Sequence, residues 1–429
     1  MQNNKNKDIT YHLSPLLKQS TDIIVDRADG VYLWDEDGTR YMDFTSGIGV
    51  LSTGHCHPKV IEAAIDQSKR IVHAQYRIVK HRPILDLSTR ICELLPESID
   101  SVFFANTGTE VIEAAIRLAR QSTKKTNIIA FRGGFHGRTM GALSATTTSA
   151  SVRQGVQRQL GDVVIAPFPD TNWYKMTENE AADFCLRELD YILQSHSLPN
   201  ETAAMLIEPI QGEAGYITSS ERFMQGIKAR CKKYNILLII DEVQTGNGRT
   251  GKMWGFEHYG VTPDIVVSAK GIASGFQLSF MAASKNLMKN AQGSQGSTYG
   301  GNAVACAAAL ATLDIIRDEK LIENAEKIGN ISKEKLSSLQ SKYPEINAIT
   351  GKGLMLGIHI IDSKRRPDSN KVADIIKLLE KKGLLLISAG IWGNVIRWIP
   401  PLIVTEEEID WAIQKFDEAL YEIKQAHSS

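Results

Sequence analysis

Ile236-Leu237-Leu238-Ile239-Ile240-Asp241 and Ile265-Val266-Val267-Ser268-Ala269-Lys270 are two short apolar runs, each closed by a polar side chain. Runs this short and this uniformly apolar, with no polar alternation, are the pattern of strands buried on both faces of a parallel sheet. Similar runs recur at Ser101 to Ala105, Asn127 to Phe131, Val163 to Ala166 and Ala203 to Ile207, separated by helical spacing near Lys59 to Arg70, Arg82 to Leu95 and from Glu110. This alternation predicts an α/β fold, with a mostly parallel central sheet flanked by helices. Ligands of such sheets bind in the crevice outside the carboxyl ends of the strands, so Asp241 and Lys270 are expected to meet in one pocket.

The rest of the chain organises around that block. Val31 to Trp34 and Arg40 to Phe44 flank Asp35-Glu36-Asp37-Gly38-Thr39, which reads as a hairpin. Beyond about Leu310 come a long helical stretch through Leu339, strands at Leu354 to Ile360, Leu384 to Ile387 and Val395 to Trp398, and helices near Lys371 to Lys381 and Glu406 to Ile423. The expected division is residues 1–54 as an N-terminal segment of a small domain, 55–309 as the large domain, and 310–429 as the C-terminal small α/β domain.

Lys plus Arg and Asp plus Glu balance at 49 each, which leaves no basic excess to hold a nucleic acid backbone. The five cysteines lack paired spacing, so neither a disulfide framework nor a metal knuckle is expected, and a reducing cytoplasm fits. Met1 to Asp8 has no apolar leader core, and no run reaches the roughly 20 apolar residues of a membrane span.

An acid and an amine brought to one pocket by two strand ends suit pyridoxal phosphate: the Lys forms a Schiff base with its aldehyde, and the carboxylate keeps its ring nitrogen protonated. Asp241-Glu242-Val243-Gln244-Thr245-Gly246 through Gly248-Arg249-Thr250-Gly251 resembles the signature of class III aminotransferases, the family that includes 4-aminobutyrate and ornithine aminotransferases. The resemblance runs from about Tyr32 to Tyr421 and implies the fold type I architecture. Gly108 and Thr109 open a helix directly after a strand, where free amides and the helix dipole favour a phosphate.

The same resemblance assigns further roles. Phe135 and Val243 would sandwich the pyridine ring, Gln244 would meet its phenolic oxygen, and Thr298 would reach the phosphate of a neighbouring subunit, making a homodimer with shared sites. Arg397 matches the clamp for an α-carboxylate, and Glu213 the residue that neutralises it when the donor lacks one. Arg138 matches the clamp for a distal carboxylate in the 4-aminobutyrate branch, Ile48 packs there on substrate methylenes, and Glu208 stands near the reacting centre.

The implied activity is ping-pong transamination of an ω-amino acid, 4-aminobutyrate first, with 2-oxoglutarate as acceptor and Lys270 as proton carrier. Gln277 stands where relatives usually have Pro, and Arg77 beside Tyr76 adds a cation to a segment that lines the entrance in relatives. Either departure leaves ornithine, β-alanine, taurine or diamine donors open. A racemase or epimerase on the same fold competes, and Arg138 with the Glu213–Arg397 pair counts against it. A non-catalytic binding protein is disfavoured by intact Lys270 and Asp241.

Two formal matches are rejected. Gly246-x-Gly248-x-x-Gly251 fits a dinucleotide fingerprint, but no helix opens within it and Asp241-Glu242 would repel a pyrophosphate. His55-Cys56-His57 has no second ligand cluster, and Pro58 makes it a loop into a helix.

Overall fold

The computed structural model describes residues 12–157, 161 and 163–426. Met1 to Asp8, read above for a leader, lies outside them.

The central sheet has seven strands in the spatial order Ser101–Ala105, Ser279–Ala283, Ile265–Ser268, Leu237–Asp241, Thr202–Ile207, Asn127–Phe131 and Val163–Ala166. The last five pair in parallel. Ser279–Ala283 is antiparallel to both of its neighbours. Side chains alternate between two faces that are both apolar. Leu238, Ile240, Val266, Met205 and Ile207 enter one core, while Ile239, Ile265, Val267, Ala204 and Leu206 enter the other. This two-sided burial removes the polar alternation from the sequence, and each large aliphatic side chain so buried contributes about 1.5–3 kcal/mol.

The helix Gly108–Thr123 covers the second face through Val111, Ile112, Ala115 and Ile116. The helices Glu178–Ser195 and Glu221–Tyr234 cover the first through Cys185, Leu189, Phe223 and Ile227. The parallel strands therefore end in one crevice, with Asp241 aligned to Val267 three residues before Lys270.

A second, antiparallel sheet runs Ile346–Lys352, Met355–Ile360, Val395–Trp398, Ile387–Ala389. The hairpin strands Tyr32–Asp35 and Arg40–Asp43 join a third sheet in which Leu384–Leu385 pairs in parallel with Arg40–Asp43, so the two ends of the chain share it. The helix Ala303–Asp318 runs uninterrupted through positions 309 and 310, where the sequence alone puts a boundary.

Beside Asp241, Glu242 is fully buried and faces the loop beneath the crevice. Its carboxylate accepts from Gly255 N and Phe256 N, each at 2.8 Å, and from the Thr245 hydroxyl. Burial pushes its pKa up to about 7, against those three donors. Glu242→Ala strands all three donors, and at about 1–3 kcal/mol for each unsatisfied buried group the variant is expected to lose about 3 kcal/mol or more. Urea unfolding measures this; a loss under about 1 kcal/mol would mean the loop does not depend on the carboxylate.

Candidate active site

At the carboxyl ends of the strands lies a cavity of about 380 Å³, lined among others by Gly108, Phe135, Arg138, Asp241, Val243 and Lys270. Lys270 follows the strand Ile265–Ser268 and begins a short 3-10 turn, Lys270–Ala273. Its φ of 48° is left-handed, a strained conformation for a residue with a Cβ, costing about 1–2 kcal/mol and held by the packed strand before it. Burial lowers its pKa despite the nearby Glu213, Glu208 and Asp241 carboxylates, so its amine gives up a proton more readily than a solvated lysine.

Asp241 is buried and held from two sides. Its Oδ1 accepts from Val243 N at 3.0 Å, and its Oδ2 lies 2.7 Å from His136 Nδ1. Burial works to lower the His136 pKa, but the hydrogen bond and charge of Asp241, with Glu208 nearby, outweigh it and raise the pKa above the ordinary imidazole value. Glu208 also lines the cavity, with its pKa pushed up to about 7 by burial. Its oxygens accept from Phe135 N at 2.9 Å and Gly212 N at 2.8 Å, so the carboxylate orients the Phe135 ring and the loop that carries Glu213.

The helix start forms the opposite wall. Thr107 and Glu110 make a capping box that uses the amides of Thr107 and Glu110 and not those of Gly108 and Thr109. A Cβ on Gly108 would meet Val243 Cγ1 at 3.1 Å, and one on Gly137 would meet Thr109 Oγ1 at 2.3 Å, so both positions keep the backbone close around this corner. Thr109 Oγ1 also lies 2.6 Å from Thr139 Oγ1.

Glu213 and Arg397 form a two-pronged pair, with Arg397 Nη1 to Glu213 Oε1 at 2.7 Å and Nη2 to Oε2. Burial would raise the Glu213 pKa, yet the Arg397 charge holds it below the ordinary range. Tyr216, fully buried, lies within the field of Arg397 and Arg249, and burial pushes its hydroxyl up to about 12. Arg138 is different: exposed at the cavity, it places its guanidinium carbon 5.3 Å from the Phe135 ring centre and has no carboxylate in salt-bridge reach among the described residues.

Not every residue singled out from the sequence meets here. Ile48, Arg77 and Thr298 are exposed and lie outside the cavity lining, and Arg397 is buried behind Glu213 and also outside it, whereas Gln277 is part of it. His136 and Tyr216 carry no assigned role in the sequence reading. His136 lies between Phe135 and Arg138 in the sequence, but its partnership with Asp241 depends on a loop meeting the end of the strand Leu237–Asp241. The stretch Gly246 to Gly251 is a series of turns without a helix. His55 Nε2 turns to Asp43 at 2.9 Å and His57 Nε2 to Glu319 at 3.4 Å, two separate carboxylates.

The residues fit pyridoxal phosphate. Free amides stand at a helix start, a carboxylate is oriented at the floor, and an amine ends the neighbouring strand. The buried Gln244 Oε1, which has no hydrogen-bond partner among the described residues, is left to meet a ligand.

The chain matches the family model for aminotransferase class-III over residues 16–420. It is 35% identical to the 4-aminobutyrate aminotransferase of Escherichia coli K12, covering 98% of this chain and 100% of that protein. It is 34% identical to a 5-aminovalerate aminotransferase of Pseudomonas putida, over 94% of each. It is also 34% identical to an alanine/serine racemase of Pyrococcus horikoshii, over 93% of this chain and 85% of the racemase. A thermostable (S)-enantioselective omega-transaminase from Thermomicrobium roseum superposes with a TM-score of 0.90 at 30% identity, covering 97% of both chains. The α/β architecture is that of the fold type I enzymes, and the chain belongs to the class-III aminotransferases, which depend on pyridoxal phosphate.

Proposed function

We propose that this aminotransferase moves the amino group of an ω-amino acid, 4-aminobutyrate in the first place, to 2-oxoglutarate. The observation that carries this reading is the contrast between two guanidinium groups. Arg397, buried behind the cavity wall, is closed on Glu213 by a fork-to-fork pair, while Arg138 lines the cavity beside Glu213 with no carboxylate in salt-bridge reach among the described residues. A donor whose carboxylate lies several methylenes from its amine has an open partner in Arg138 and needs nothing from Arg397. An α-amino acid or 2-oxo acid must instead separate Glu213 from Arg397, since a planar guanidinium binds one carboxylate by its fork at a time.

Bound in this cavity, pyridoxal phosphate supplies a carbon electrophile for amines and a protonated ring that withdraws electrons from the reacting carbon. The amides of Gly108 and Thr109 would hold its phosphate, Phe135 and Val243 its ring, and Gln244 its phenolic oxygen. Asp241, oriented by His136, would hold a proton at the ring nitrogen. Lys270 would attach the cofactor and, once released, would carry a proton at Nζ from the amine-bearing carbon of the donor as general base, a role helped by the burial that lowers its pKa. Glu208 is a positioning residue through Phe135 and Gly212.

The reading includes a homodimer in which each partner completes the other's site. Ile48, Arg77 and Thr298 stand exposed outside the cavity of their own chain. The apolar side chains of Val72, Ile78 and Val79 are exposed on a segment tied to the Thr298 loop by Gln75 Nε2 to Ser297 O at 3.0 Å and Asn302 Nδ2 to Val72 O at 2.9 Å. Sedimentation at the mass of one chain would remove this part. A cytoplasmic setting goes with the five unpaired cysteines, and no helix among the described residues is long and apolar enough to cross a membrane.

The test is a single-turnover scan of the holoenzyme against 4-aminobutyrate, 5-aminovalerate, β-alanine, ornithine, taurine and glutamate. An ω-amino acid is expected to convert the cofactor fastest, and 2-oxoglutarate to reverse it. In Arg138→Ala the KM for both is expected to rise by about 10–100-fold, the value of a charge-assisted pair. Wild-type KM values in that variant would end the distal-clamp assignment. The racemase relative favours one other outcome: α-proton exchange of alanine or serine without net amino transfer would place this chain with it.

A further inference from the structure

We propose that the seam between the central-sheet unit and the Val395–Trp398 sheet holds a second ligand site, which takes a planar aromatic anion and is distinct from the cavity of Lys270. The seam encloses a cavity of about 450 Å³, larger than the 380 Å³ of the catalytic one. Its walls are apolar where Phe168, Ile217 and Val395 face it.

At its rim two indoles meet across the seam. Trp173 belongs to the short helix Thr171–Tyr174 of the first unit, and Trp392 to the loop between the strands Ile387–Ala389 and Val395–Trp398 of the second. Their ring centres are 5.9 Å apart at 26°, a stacked pair, yet each residue remains 54% exposed. A stacked pair that leaves so much ring surface in water offers a flat apolar face to a further ring.

The charge of the cavity selects the ring's substituent. Arg132, Lys175 and Arg365 line it, all exposed, and none has a carboxylate in salt-bridge reach among the described residues. Guanidinium groups beside indoles also add cation–π attraction for a flat ligand. The acid of the lining is Asp170, and it is already engaged in capping its helix, accepting from Asn172 N at 2.9 Å and Trp173 N at 3.0 Å. Neither remaining ionisable wall residue adds charge: burial raises the Tyr174 hydroxyl above its ordinary value and holds His359 down to about 4. Three cations against one committed carboxylate call for a carboxylate, sulfonate or phosphate on the aromatic ring.

The site shares a partition with the catalytic cavity. Gln211 and Ala214 face the second cavity, while Gly212 and Glu213 between them face the first. Gly390 N donates to Glu213 O at 2.9 Å, and Val395 of the lining lies on the same strand as Arg397. An occupant that draws the two units together therefore acts on the loop holding Glu213 against Arg397. The expected consequence is a changed preference between ω-amine and oxo acid, read as a change in the ratio of their kcat/KM values.

The probe is 2-naphthoate, titrated calorimetrically into the holoenzyme with and without saturating 2-oxoglutarate. Expected are one site per chain whose affinity 2-oxoglutarate does not compete away, binding of neutral 2-naphthalenemethanol at least about tenfold weaker, and losses of about tenfold in both Trp392→Ala and Arg132→Gln. These positions are exposed and outside the catalytic cavity, and thermal melts check that both variants fold. Three results would each overturn the proposal: no binding at millimolar 2-naphthoate, full competition by 2-oxoglutarate, or wild-type affinity in both variants. A fall in melting temperature of Trp392→Ala with no binding in the wild type would make the indole pair a latch between units and nothing more.

Discussion

Lys270→Ala is expected to abolish amino transfer, with kcat falling by about 10⁴ or more. A positioned general base contributes about 10²–10⁴, and covalent attachment of the cofactor adds to it. The cavity holds no substitute, because Lys270 is the one lysine in its lining among the described residues. The fold should survive, since the strand Ile265–Ser268 is buried and paired on both sides without help from the lysine side chain. The measurement is single-turnover conversion of 4-aminobutyrate, joined to mass spectrometry after borohydride reduction. In the wild type the cofactor mass should stay on the peptide containing Lys270, and in the variant on none. Turnover within tenfold of the wild type would move the chemistry to another residue.

Asp241→Asn is the second large effect, a loss of kcat on the order of 10²–10⁴ with binding of oxo acid little changed. Asparagine keeps the shape: its one carbonyl oxygen can still accept from Val243 N, and its amide nitrogen can donate to an unprotonated His136 Nδ1, so packing around the strand Leu237–Asp241 is preserved. What disappears is the negative charge that favours a proton on the cofactor's ring nitrogen and on His136. The His136 pKa, raised in the native protein chiefly by Asp241 against its burial, should fall, and titration of its ring signals by NMR reads this independently of turnover. A variant with native kcat and an unmoved His136 titration would show that the carboxylate's charge is not used.

The central strands were legible because burial on both faces demands uninterrupted apolar runs, and Leu237–Asp241 and Ile265–Ser268 carry them. Ser279–Ala283 was not. Its Ser-Phe-Met-Ala-Ala has no β-branched residue, and it becomes a strand because it fills the gap between Ile265–Ser268 and Ser101–Ala105. Ile346–Lys352 was missed for a related reason. Its Asn, Thr and Gly interrupt the apolar pattern, and its strand conformation comes from pairing with the fully buried Met355–Ile360.

By itself, the sequence determined the α/β alternation, the placement of Asp241 and Lys270 at the ends of two buried strands, and the helix start at Gly108 and Thr109. Each follows from local periodicity and from the short-range geometry of a strand running into a turn. The resemblance already set Glu213 against Arg397; only the tertiary structure decided that this pair is closed while Arg138 is left open, that His136 turns to Asp241, and that Ile48, Arg77 and Thr298 stay outside their own chain's cavity. Those pairings join segments far apart in the chain through loops whose course no local pattern encodes, and over the few ångströms that separate a paired guanidinium from an open one, electrostatic energies change by several kcal/mol.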